Sequence, residues 1–271
     1  MNREKDMSLL GHIGELRGHL IRCIIAIILC GFVVGFNIEW IIDKIFFGPV
    51  NNDFPTFRAI NYLSQELVGT DAIELPADFP VRVQKLYQQF NVMMSVSVIG
   101  GIVLAFPYLV WELWRFISPA LHPKERKNSS LLINSVWILF LLGILCGYYL
   151  ILPFAINFGA VFKISEIIEP LYDLSDYAAL FFQIVVGMGI VFLFPIIVYF
   201  LTAIGILTPT FLRTYRKHSI VVILVIAAVI TPADILSMGM AALPLLILYE
   251  FSIGICKRTY KKMQKRAEKA L

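Results

Sequence analysis

Three carboxylates stand apart in this sequence because each sits among residues able to make use of it. Glu15 lies in the stretch Ser8–Arg22, where His12, Glu15, His19 and Arg22 recur at steps of three and four. That spacing places them on one face of a helix. Leu9, Ile13, Leu16 and Leu20 recur on another face, and Ser8 is of a type that caps a helix start. Such a helix either lies flat among lipid headgroups or presents Glu15 to a ligand. Glu125 closes the segment Phe116-Ile117-Ser118-Pro119-Ala120-Leu121-His122-Pro123-Lys124-Glu125-Arg126, in which two prolines fix a tight loop. With Lys124, Arg126 and Lys127 beside it, Glu125 is either half of a local ion pair, worth little at a surface, or a carboxylate held for a cationic partner. A guanidinium suits it, because arginine donates two parallel hydrogen bonds to a carboxylate. Asp234 follows Thr231-Pro232-Ala233. It is costly at membrane depth, or it caps the helix that follows. Glu250, beside Tyr249, marks a boundary where a charge is inexpensive.

Enzyme signals are missing. The sequence holds no HExxH, no nucleophile elbow and no phosphate-binding glycine loop. His12, His19, His122 and His218 are scattered, so no metal site is expected. Cys23, Cys30, Cys146 and Cys256 fit neither a zinc site nor a disulfide framework and read as small apolar residues. No cofactor is expected, and nothing implies nucleic acid as a partner. Mid-span charges are almost absent, which disfavours a proton- or ion-coupled transporter.

The elements that must position these groups are membrane helices. Of the 271 residues 59% are hydrophobic and 15% charged, against about 25% charged in soluble domains. Apolar runs cover roughly 20–36, 92–113, 131–154, 178–207, 220–230 and 235–249. In hydrocarbon the backbone must satisfy its own hydrogen bonds, so each run is expected to be a helix. The last two runs are short: at 1.5 Å per residue the fifth covers roughly 17 Å against about 30 Å of hydrocarbon. They form either short spans in a thinned bilayer or a re-entrant hairpin. The first run begins near Leu20 and no small-residue cleavage site follows it, so it is expected to stay as a span.

Charge sets the expected orientation. With six crossings, 18 of the 23 basic residues fall on the side of the two termini, and 12 of the 19 acidic residues fall on the other. Lysine and arginine mark the cytosolic side, so both ends are expected in the cytosol. The basic tail from Lys257 reads as an anchor to anionic lipid. The outer segment, roughly 37–90, contains Pro49, Pro55, Pro76 and Pro80 and a possible short helix near Tyr62–Val68. It reads as an ordered cap on a single membrane domain. Pro107, Pro153, Pro195 and Pro244 sit inside or near the ends of spans and predict bent helices and a concave molecule. No internal repeat is visible, which weakens a transporter built from inverted repeats.

The sequence resembles the C subunit of the twin-arginine protein translocase, the TatC family, over nearly its whole length. The likeness is carried by His12-Ile13-Gly14-Glu15-Leu16-Arg17, Gly48-Pro49, the segment Phe116–Arg126 with its Phe116, Pro119, Leu121 and Glu125-Arg126, and Leu152-Pro153-Phe154. Gly205 with Pro209, Leu212 and Arg213, then Thr231-Pro232-Ala233-Asp234, and Ala242-Leu243-Pro244 with Glu250 complete it. The resemblance implies an all-α polytopic membrane protein with six transmembrane helices, both termini in the cytosol, and a curved, glove-like bundle.

It further implies a receptor core in a bacterial plasma membrane that binds paired-arginine signal peptides of folded proteins due for export. Glu15 and Glu125, with Arg17, are then the signal-peptide site, and Pro49 and Asp234 match positions of functional importance. Single-span subunits of the TatA and TatB type are the implied partners, with further copies of the chain in the complex. Two positions depart from the family. Leu193 stands two residues before Pro195, where many members carry Glu or Gln that helps seat the single-span partner. Met238 stands four residues after Asp234, where a polar residue is usual, and the outer segment is longer. Gln183 lies ten residues before Leu193, roughly 15 Å along a helix, and cannot replace it at the same depth. The competing reading from the residues alone is a small-solute transporter or channel.

Overall fold

Each apolar run folds as a helix because hydrocarbon offers the backbone no other partner. The structure, a computed structural model, describes residues 9–68, 81–117, 129–162, 165, 171–232 and 234–268, with the backbone alone for 9–13, 15, 67–68, 117, 129–132 and 265–268. In chain order the helices are α1 (Leu9–Phe36), α2 (Ile38–Ile41), α3 (Pro55–Val68), α4 (Gln88–Ile117), α5 (Ser129–Cys146), α6 (Leu152–Val161), α7 (Leu174–Val191), α8 (Phe194–Ala203), α9 (Pro209–Thr214), α10 (Arg216–Ile230) and α11 (Ile235–Glu268). Two strands of two residues, β1 (Val81–Arg82) and β2 (Tyr172–Asp173), pair in parallel with Val81 opposite Tyr172.

Among the described residues five stretches are long and apolar enough to cross a membrane: Leu16–Phe36, Gln88–Phe116, Ile133–Val161, Leu174–Ala203 and Ile235–Gln264. The fifth predicted run is helical but short. It lies in α10, whose 15 residues reach about 22 Å, less than the ~30 Å of hydrocarbon. The sixth run differs from its expected extent. It is not short: α11 runs for 34 residues, and its stretch Ile235–Gln264 is long and apolar enough to cross a membrane, because the helix continues past the expected boundary at Tyr249 into the basic segment. Ser8, expected as a cap, lies outside the described residues. The outer helix is longer than expected, beginning at Pro55.

The chain forms two compact units, one from residues 1–42 and 87–138, the other from 43–86 and 139–271. In the first, α1 and α4 pack antiparallel along small residues. A Cβ on Gly101 would lie 2.7 Å from the Gly31 nitrogen, and a Cβ on Gly31 would lie 3.3 Å from the Ser97 carbonyl oxygen. Small residues let membrane helices approach closely enough for dispersion contacts to hold them. The opposite side of α1 carries large exposed apolar groups such as Leu29 and Val33, as a lipid-facing helix requires.

In the second unit the same device recurs. A Cβ on Gly143 would strike the Met188 carbonyl oxygen at 2.5 Å, and one on Gly147 would meet that of Ile184 at 2.9 Å. The prolines take two kinds of position. Pro107 and Pro244 lie inside α4 and α11. Pro195 sits in the first turn of α8, after a break at Phe192–Leu193 that separates it from α7. Pro153 opens α6 directly after the π-helical turn Gly147–Ile151.

Candidate functional site

The N-terminal half of α1 carries the polar groups that reach α4. Glu15, His19 and Arg22 follow one another on this helix. His19 Nδ1 lies 2.9 Å from Glu112 Oε1 of α4, and the Arg22 Nε–H donates to the same oxygen. Glu112 is fully buried, whereas the Arg22 side chain is 46% exposed. The spacing follows from the glycine contact. Arg22 lies nine residues from Gly31 on α1 and Glu112 eleven from Gly101 on α4, roughly 14 and 16 Å along antiparallel axes. The two side chains therefore meet near the same end of the pair.

Arg22 Nη2 also lies 3.0 Å from His19 Nδ1. One ring nitrogen cannot donate to Glu112 and accept from Arg22 together. Donation to an ionised carboxylate is the stronger bond, so the Nδ1 proton belongs between His19 and Glu112, and Arg22 merely lies alongside. The His19 ring is fixed from its other side by Phe116, edge-on at 5.6 Å between centroids and 64° between planes. A buried carboxylate without a cation would be strongly unfavourable, and α1 supplies that cation here. The other oxygen, Oε2, is buried with no hydrogen-bond partner among the described residues.

Sequence reading singled out His19 and Arg22 but missed Glu112. The missed signal was a single acidic residue inside an apolar run, which hydrocarbon tolerates only with a partner. Nothing local names that partner, since it lies 90 residues away.

The other predicted site residues are placed as follows. Glu15 lies on α1, four residues before His19, and only its backbone is described. Arg17 is exposed on the same helix. Phe116 ends the described part of α4 side chains, while Pro119, Leu121, Glu125 and Arg126 lie outside the described residues. Pro49 is fully buried in the 3-10 turn Gly48–Val50. A Cβ on Gly48 would come 2.8 Å from the Tyr148 hydroxyl, so a larger residue there would displace that ring. Above this turn the Tyr148 hydroxyl donates to the Ile45 carbonyl at 3.0 Å, and the Tyr177 hydroxyl donates to that of Phe46. These bonds serve carbonyls of the π-helical stretch Ile42–Phe46.

Asp234 is 5% exposed, and its Oδ1 accepts from the Ser237 amide at 2.6 Å. That is a helix cap for α11, the second of the two readings its sequence allowed. Gln183 of α7 donates its amide to the Val229 carbonyl near the end of α10. It is thus engaged within the chain. Leu193 sits at the break between α7 and α8. Arg216 and Glu250 pair at 2.7 Å, both about half exposed. No group of three or more metal-ligating side chains occurs among the described residues.

Comparison with known proteins extends this picture. The family described as Sec-independent protein translocase protein (TatC) matches residues 11–244. A Sec-independent protein translocase protein TatC from Blattabacterium sp. subsp. Periplaneta americana is 40% identical over 263 residues, 96% of this chain and 99% of the relative. The protein TatCy of Bacillus subtilis is 36% identical over 260 residues, 96% of this chain and 92% of the relative. A crystal structure of the twin-arginine translocase receptor TatC in DDM superposes with a TM-score of 0.69 at 28% identity, covering 90% of this chain and 98% of the other.

Proposed function

Since this chain belongs to the TatC family of Sec-independent protein translocase proteins, we propose that it is the receptor core of a twin-arginine translocase. It binds the paired arginines of signal peptides on folded proteins and gathers the export complex around them. The observation that carries this reading is family membership along nearly the whole chain, with Glu15 and Glu125 standing in the segments that bear the likeness. Two carboxylates on one face oppose two guanidiniums, and replacing arginine by lysine keeps the charge but loses the bidentate fork.

The chain is multi-pass. We place it in the bacterial plasma membrane with both termini in the cytosol, on the charge pattern of its connections. Six crossings then require α10 to cross a locally thinned bilayer, which would also ease passage of a folded protein. The basic end of α11 meets anionic lipid. Single-span TatA- and TatB-type subunits and further copies of the chain are the partners. Their contact is shifted away from Leu193, because leucine offers no polar anchor there and Gln183 is already engaged. Strong site-specific crosslinks from a partner span to position 193 would contradict that shift.

The deciding experiment measures binding of a paired-arginine peptide to the purified full chain. Glu15→Gln together with Glu125→Gln is expected to abolish the preference for paired arginine over paired lysine. A double variant that keeps the wild-type preference for paired arginine sinks the assigned site. Uptake of a small solute by vesicles holding this chain alone would favour a transporter instead.

A further inference from the structure

We propose that Glu112 is a further acceptor for a signal-peptide guanidinium, and that Arg22 is its resident competitor, displaced when the peptide binds. This deepens the receptor reading and rests on it.

The carboxylate of Glu112 is used unevenly. Oε1 takes both His19 and Arg22, while Oε2 is buried with no partner among the described residues. A carboxylate accepts through both oxygens, and a guanidinium matches it best with two parallel bonds. Arg22 instead reaches Oε1 through Nε. It neutralises the site without filling it, and an unpaired buried acceptor carries a desolvation penalty. An arriving guanidinium that takes both oxygens removes that penalty.

The exchange is electrostatically cheap. One guanidinium replaces another, so Glu112 is never left as an uncompensated buried charge. Arg22 is the partner suited to leave: its side chain is 46% exposed, against 15% for His19. A long arginine stem can swing its head into the headgroup region while keeping its methylenes on the helix. His19 stays, held by its bond to Oε1 and by Phe116.

The location suits a paired ligand. Glu15 precedes Arg22 by seven residues on α1, about 10 Å along the axis. Phe116, against the His19 ring, is the first residue of the segment that carries Glu125. Glu112 is thus a carboxylate buried between α1, the helix that carries Glu15, and α4, after which the segment bearing Glu125 follows in sequence.

The test uses the full chain in nanodiscs and a fluorescent paired-arginine peptide, with a paired-lysine peptide as control. Arg22→Gln removes the competitor and is expected to tighten binding about three- to fivefold, the scale of a partly exposed ion pair. Arg22→Lys should fall between wild type and Arg22→Gln. Glu112→Gln, nearly isosteric, is expected to weaken binding by about threefold or more. A purely structural latch between α1 and α4 predicts instead that Arg22→Gln and Glu112→Gln both weaken binding. Unchanged or weaker binding by Arg22→Gln overturns the exchange.

A second measurement needs no variant. A photoreactive residue beside the arginine pair of the peptide should label the wild-type chain within 19–22 or 112–116. Labelling confined to other segments overturns the proposal. If the wild-type chain shows no preference for paired arginine, the receptor reading fails and the exchange with it. If that preference is present and depends on Glu15, but Arg22→Gln binds no tighter, the exchange alone fails.

Discussion

Gly101 of α4 faces Gly31 of α1 so closely that a Cβ on Gly101 would sit 2.7 Å from the Gly31 nitrogen and 2.9 Å from the Ile27 carbonyl oxygen. Both obstacles are backbone, so neither can rotate away. Gly101→Ala is expected to push the helices apart and destabilise the pair by about 1–3 kcal/mol, the usual cost of overpacking. Gly239→Ala is the control, because a Cβ there meets nothing within 4 Å; a helical glycine replaced in open space should change stability by no more than about 1 kcal/mol, toward greater stability. Thermal unfolding in detergent compares the two. Equal melting temperatures for both variants would remove the glycine contact as the organiser of this helix pair.

Gln183 supports the end of a helix that is too short to anchor itself well. The last four carbonyls of α10 lack partners within the helix. Thr231 serves Ala227 through its amide and hydroxyl, each at 2.9 Å, and Gln183 serves Val229. Gln183→Leu should destabilise the chain by about 0.5–2 kcal/mol, the range of hydrogen bonds between membrane helices. It should also raise the labelling rate of a cysteine placed at Thr231. An unchanged labelling rate would show that α10 ends as firmly without the amide.

Asp234 separates a cap from a charge. Oδ1 accepts from the Ser237 amide, and asparagine caps as well as aspartate does. Asp234→Asn should therefore keep slow hydrogen exchange at the Ser237 amide, while Asp234→Ala should speed it and cost about 1 kcal/mol. If transport is lost in Asp234→Asn while exchange stays slow, the charge has a role beyond the cap.

The Arg216–Glu250 pair should matter little to stability. Both side chains are about half exposed, and such pairs contribute roughly 0–1 kcal/mol and weaken with salt. A double-mutant cycle with Arg216→Ala and Glu250→Ala should give a coupling in that range. A coupling well above it would mean that the pair is shielded from water in the membrane.

The sequence by itself determined the class of this molecule, because membrane physics reads composition directly. Long apolar runs have no other stable home, and the runs near residues 20, 92, 131 and 178 became helices on length alone. The face shared by His19 and Arg22 was legible because helical spacing is local. The capping option for Asp234 was legible for the same reason.

Tertiary structure decided what spacing does not encode. Glu112 acquires a partner only in the fold, where α4 brings it to Arg22 of α1, 90 residues away in sequence. That pairing depends on glycines whose effect is close approach, and a glycine in a sequence does not say which backbone will fill its missing Cβ. The length of α11 was hidden for a related reason. Hydropathy reports where a helix leaves the bilayer, whereas its hydrogen bonds continue for as long as the backbone allows. For Gln183 the sequence showed only that it could not stand in at the depth of Leu193; the fold placed the open end of α10 beside it.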